Sequence, residues 1–197
     1  MKDMAKRKQF FYFRKLLPYL VASTFLMGAG IVFGLLSAVH APGVATQVLG
    51  PVAKFAKTLV GLPKLYLALV IFFNNVLKTL LVIVLGTLWG LLPVFFLLLN
   101  GYAIGVVLYS SIESKGMLAF LLAIVPHGMF ELPAVLLGTS IGLMLGVHAM
   151  KRLFGTLETT ITGELRRALR FFSLVIIPLL LFAAFIEAFI TSAGVSR

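Results

Sequence analysis

Cysteine is absent from all 197 residues, so no disulfide, iron–sulfur cluster or thiolate nucleophile is available, and the redox compartment stays open. Charge is scarce as well: 12% of the residues are charged, against about a quarter in soluble domains. Acids are the rarer sign, with six Asp and Glu in the whole chain. The amides number only two Gln and three Asn, a depletion that fits a thermophile's avoidance of labile side chains. No H-E-x-x-H and no phosphate-cradling glycine loop occurs, and the residues nominate no nucleophile. The expected function is therefore non-enzymatic, with no cofactor and no bound metal.

What is present is hydrophobic: 61% of the chain, a composition for an integral membrane protein. The 17 Lys and Arg give a formal charge of +11, which in such a chain signals topology and contact with anionic lipid rather than nucleic-acid binding. Residues 1–15 carry six of these cations among Phe10, Phe11, Tyr12 and Phe13, a basic cytoplasmic segment suited to an anionic surface. The uncharged run that follows exceeds a signal-peptide core and reads as a retained first span. Leu65 to Ser111 is nearly unbroken apolar sequence, roughly 70 Å as helix against a hydrocarbon core of roughly 30 Å, so it crosses twice, turning near Trp89, Gly90 and Pro93.

These lengths predict an all-α polytopic transmembrane bundle, a single integral membrane domain over 1–197, with spans near 16–39, 65–88, 91–110, 117–147 and 171–191. The fourth span contains Pro126 and Pro133, and the sequence predicts a helix broken or kinked there. Residues 40–64 predict a short interfacial helix, with Val44, Val48, Val52, Phe55 and Leu59 at helical spacing. Residues 148–170 predict a basic amphipathic helix on the membrane face. Its stripe would be Met150, Leu153, Phe154, Leu157, Ile161, Leu165 and Leu169, with Lys151, Arg152, Arg166, Arg167 and Arg170 elsewhere. The basic residues concentrate in the N-terminal and 148–170 segments, which places the N-terminus in the cytoplasm and the C-terminus outside the cell membrane.

Inside the spans, glycines recur four apart at Gly30/Gly34, Gly86/Gly90, Gly101/Gly105 and Gly138/Gly142/Gly146, a spacing for close helix packing within the bundle or across a dimer. Asn74, Asn75 and Lys78, then Asn100, then His127 and Glu131, then Glu187 form an intramembrane polar set. Ionisable groups at such depth are costly unless they face a cavity or one another. Helical rise puts Asn74 and His127 both about 13 Å below the outer end, near enough for the set to converge in the outer half. Three readings stay open for His127 and Glu131: structural pairing, Glu131 with Lys78 or Asn side chains; a hydrated cavity or ligand site; a metal site completed by Glu187. His40 and His148 read as surface residues at the interfaces.

The run P-H-G-M-F-E-L-P-A at Pro126–Ala134, with F-F-N-N at Phe72–Asn75, L-L-N-G-Y-A-I-G at Leu98–Gly105 and F-I-E-A-F-I-T at Phe185–Thr191, resembles the stage II sporulation protein M family. The resemblance implies a five-span membrane protein. It also implies a scaffold or assembly partner in a cell-envelope complex, since the member found in endospore formers recruits a peptidoglycan hydrolase rather than hydrolysing anything itself. Relatives occur in archaea that form no spores, so the sporulation role does not transfer by name. Asn74, Asn75, Asn100, His127, Glu131 and Glu187 fall on the family's motif positions, with no chemical role attached. The expected partners are anionic lipid, a second copy in a homodimer and a membrane-complex protein, with a transporter, channel or lipid-handling role as the alternative and a metal-dependent intramembrane hydrolase as a third.

Overall fold

The computed structural model describes residues 2–59, 61–155 and 160–191, and within them leaves aside the side chains of 2–11, 52, 53, 56, 115, 119, 122–124, 126, 127, 190 and 191. Helices run Lys2–His40 (α1), Pro42–Leu59 (α2), Lys64–Leu85 (α3), Leu91–Lys115 (α4), Met117–Leu153 (α5), Ile161–Phe171 (α6) and Ile177–Ile186 (α7). Two π-helical segments, Phe172–Ile176 and Glu187–Thr191, flank α7. Among the described residues there is no strand. Five stretches are long and apolar enough to cross a membrane: Tyr12–His40, Lys64–Leu85, Leu91–Ser114, Gly128–Leu153 and Ile161–Phe189.

The connections follow from glycine. Between α3 and α4 the chain reverses in the five residues Gly86 to Gly90, where Trp89 (φ 57°) and Gly90 (φ 74°) take left-handed conformations. Gly116, at φ 83°, is all that separates α4 from α5. The polar residues Glu113, Ser114 and Lys115 form the last turn of α4.

The fourth span is continuous. α5 runs through Pro126 and Pro133 over 37 residues, so the break expected there is absent. Each proline deletes one amide donor, and a long helix keeps the hydrogen bonds on either side, as spanning helices commonly do. The last span instead accommodates Pro178 by a π-helical turn ending at Ile176, two residues before the proline.

α5 is the centre of the bundle: 61% of its spanning window is buried, against 22–33% for the others. α1, α3, α4 and α7 all pack on it. The interlock is glycine against backbone. A Cβ on Gly30 would lie 2.6 Å from the Leu98 carbonyl oxygen, and one on Gly101 would meet the Met27 carbonyl. Gly34 abuts Tyr102, and Gly105 abuts Ile31, completing the α1/α4 contact. A Cβ on Gly86 would lie 2.5 Å from the Gly142 Cα, closer than a side chain fits, and Gly146 meets Gly90, joining the end of α3 to α5. All four sets of small residues are thus consumed inside one chain.

Two expected amphipathic faces point the other way from a soluble protein's. On α2, Val44, Val48 and Phe55 are exposed, while Ala45 packs with Ala38, Tyr102 and Val106. The single amphipathic helix expected over 148–170 is divided: α5 ends at Leu153, the chain turns at Gly155 (φ 69°), and α6 runs directly into the last span. Leu153 and Phe154 are 70% and 76% exposed, whereas the side of α6 that enters the core is Glu164, Ala168 and Phe171. Leu157 lies outside the described residues.

Candidate functional site

The glycine contacts set the register needed to place the polar residues. Gly142 of α5 faces both Val82 of α3 and Pro93 of α4, and Gly138 faces Thr79. On α5, Glu131, Gly138 and Gly142 share one face, seven and eleven residues apart. Asn75 shares a face of α3 with Thr79 and Val82, and Asn100 shares a face of α4 with Pro93 and the buried Leu97. Glu131, Asn75 and Asn100 therefore line the seam where α3 and α4 lean on α5. α3 and α4 make few direct contacts with each other, and each packs on α5.

Counting from the Gly142 level at about 1.5 Å per residue, Asn75 and Asn100 each lie about 10 Å toward the α5 N-terminal end, and Asn74 about 12 Å. Glu131 is about 16 Å along and Lys78 only about 6 Å. The Asn74 amide donates to the Asn75 side-chain carbonyl at 3.3 Å, and the Asn100 amide donates to the Phe96 carbonyl at 2.7 Å. All three asparagines and Glu131 are half-buried. The Glu131 carboxylate can accept hydrogen bonds, and the carboxamides can both donate and accept them.

Lys78 stands apart from this tier, on the exposed side of α3. The register that seats Thr79 on Gly138 sets Lys78 about 10 Å from Glu131 along the axis, so the expected Glu131–Lys78 pairing is not formed. Lys78 is exposed, with no hydrogen bond or ion pair among the described residues. Glu187 sits in the terminal π-helical segment, packed against α3 and α5. There Lys64 Nζ lies 5.9 Å from the Phe189 ring centroid, which fixes this segment at the far end of α3. His127 is on α5 near that level, and its side chain lies outside the described residues. Among the described residues no three His, Asp or Glu side chains group to hold a metal ion.

A second polar centre, absent from the sequence expectations, forms at the opposite, basic end of the bundle. Glu164 is 2% exposed, and one carboxylate oxygen accepts from Lys15 Nζ and from Arg167 Nη1, both at 3.0 Å. Its other oxygen and the Tyr12 hydroxyl are buried with no hydrogen-bond partner among the described residues. Tyr12 packs on Phe171, ring centroids 5.4 Å apart, in the same core cluster as Leu16 and Ala168. Arg167 thus belongs to an ion pair, while Arg152, Arg166 and Arg170 are exposed. Glu164 had one sequence signal: it is the single acid between residues 160 and 171, three residues before an arginine.

Two further positions differ from the sequence reading. His148 is buried, its Nδ1 2.7 Å from the Met144 carbonyl, rather than at the surface. Against the expectation that the chain lacks a G-x-S-x-G nucleophile elbow, the run Gly138, Thr139, Ser140, Ile141, Gly142 has that spacing. It carries no such chemistry here. Ser140 lies in mid-helix, fully buried, bonded to the Leu136 carbonyl and 3.1 Å from the Ser23 hydroxyl, with no base beside it among the described residues.

The family model for stage II sporulation protein M matches residues 23–192. An uncharacterized protein of Methanocaldococcus jannaschii is 31% identical over 120 residues, covering 60% of this chain and 67% of the relative. No solved structure matches the chain.

Proposed function

The chain belongs to the stage II sporulation protein M family, and from that premise we propose that it is a non-enzymatic, multi-pass scaffold that assembles a membrane or cell-envelope complex. The observation that carries this reading is the glycine interlock of α1 with α4 and of α3 with α5. Backbones in direct contact leave little room for the sliding or rocking that alternating access needs. A fixed bundle that presents lipid-facing helices suits assembly.

In this reading the N-terminus and the exposed Arg152, Arg166 and Arg170 face the cytoplasm and its anionic lipid, and the C-terminus faces outward. The working unit is a homodimer or a larger complex, with contacts on faces other than the interlocked glycines. Chemical crosslinking in intact membranes, followed by mild extraction, should yield a discrete complex larger than the monomer. Recovery of monomers alone would overturn the scaffold reading.

A second reading has its own support: the seam lined by Asn75, Asn100 and Glu131 suits a transporter, channel or lipid-handling protein. A cysteine placed at position 131, in a chain that has none, should react with water-soluble thiol reagents if that seam is hydrated. An unreactive thiol removes this alternative.

A further inference from the structure

Lys78 is the residue that the folded chain leaves unexplained. It lies seven residues from the end of α3 at Leu85, about 10 Å along the span, and it is exposed on the outside of the bundle. No acid of this chain reaches it among the described residues. An amine at this depth is costly in lipid unless it is paired or escapes to the interface.

Escape is hindered by direction. Side chains on a helix lean toward its N-terminus. For Lys78 that is the farther surface, fourteen residues away at Lys64, so snorkelling to the nearer surface runs against the lean. Lipid phosphates lie at the interface and do not descend to this depth. Lys78 also belongs to a stripe, Asn74, Lys78, Leu81, Leu85, at the i, i+4, i+7, i+11 spacing with which one helix packs along another. Leu81 and Leu85 on it are 45% and 38% exposed.

We propose that this stripe of α3 is the docking site for a transmembrane helix of a different membrane protein, one that carries a carboxylate at the depth of Lys78. A second copy of this chain fits less well. A two-fold contact along the stripe sets lysine near lysine, and the chain's own intramembrane acids, Glu131 and Glu187, lie on α5 and the terminal π-helical segment rather than on this face. The inference rests on the scaffold reading and names the chemistry of the partner.

The test uses the full chain in phospholipid vesicles at neutral pH with labelled polyleucine transmembrane peptides, one bearing a single Glu about seven residues from one end, others bearing Gln, Lys or Leu there. Energy transfer should show the Glu peptide associating with the wild type about tenfold more tightly than the Leu peptide, and that advantage should vanish with Lys78→Met. Lys78→Glu should switch the preference to the Lys peptide. Equal association of all four peptides overturns the proposal, as does an advantage that survives Lys78→Met. It is also overturned if Lys78→Met instead reduces the chain's preference for anionic vesicles, or abolishes self-association. A failed peptide test beside an intact crosslinked complex in membranes refutes the Lys78 site alone, while loss of the complex itself refutes the scaffold.

Discussion

The two ends of this bundle handle a carboxylate in opposite ways. At the basic end, Glu164 is pulled out of solvent and held by two cations that keep their own access to water, Lys15 at 39% and Arg167 at 68% side-chain exposure. Toward the other end, Glu131 is half-buried in a seam walled by asparagines that carry no charge. The first arrangement ties the N-terminal part of α1 to the start of the last span, so it serves folding. The second sets an acid beside uncharged amides where α3 and α4 meet α5, far from the basic end.

Removing the counter-ions is the harshest way to break this contrast. Lys15→Met with Arg167→Met leaves Glu164 buried and uncompensated, and should cost about 3–5 kcal/mol. Thermal unfolding in detergent measures it, and adding Glu164→Gln to the pair should recover much of the loss. Next come the interlocked glycines: Gly142→Ala drives a methyl into the Val82 carbonyl, 2.6 Å away, and should cost about 1–3 kcal/mol. Gly28→Ala, which meets nothing within 4 Å, should be neutral or stabilise by about 0.5–1 kcal/mol, so the two substitutions read contact against helix propensity in the same assay.

Smaller effects sharpen the comparison. Glu131→Gln keeps the shape and much of the hydrogen bonding of the side chain and should shift stability by less than about 1 kcal/mol, well below the loss of the Glu164 counter-ions. The same melting experiment decides it. At the membrane surface, Arg166→Ala and Arg170→Ala should each weaken association with anionic vesicles by about 1 kcal/mol, and Arg167→Ala by less, because its charge is already shared with Glu164.

The five spans were legible because the length of an apolar run is a direct measure of membrane crossing, and the turn at Trp89 and Gly90 was legible from its residue types. Which face of each helix points inward was not. In water an apolar stripe marks the core, but in lipid both surroundings are apolar, so the stripe of α2 faces outward and Glu164 takes the core side of α6. The glycine spacing revealed that helices meet closely, yet only the register showed that Gly30 meets α4 and Gly142 meets α3 and α4 together. That same register, set by residues with no side chain, is what parts Lys78 from Glu131 and groups Asn74, Asn75 and Asn100. The prolines misled because a missing amide proton loosens a helix without ending it.

The central claim is that the glycines of the spans, with the buried Ser23 and Ser140, close on one another within a single chain packed around α5. Ser23 of α1 and Ser140 of α5 test it most directly, since their hydroxyl oxygens lie 3.1 Å apart in the core and the chain contains no cysteine to interfere. Ser23→Cys with Ser140→Cys, oxidised in the membrane, should form an intramolecular disulfide in most chains and migrate as a monomer. Crosslinked dimers, or thiols that stay free under the same oxidation, would contradict it.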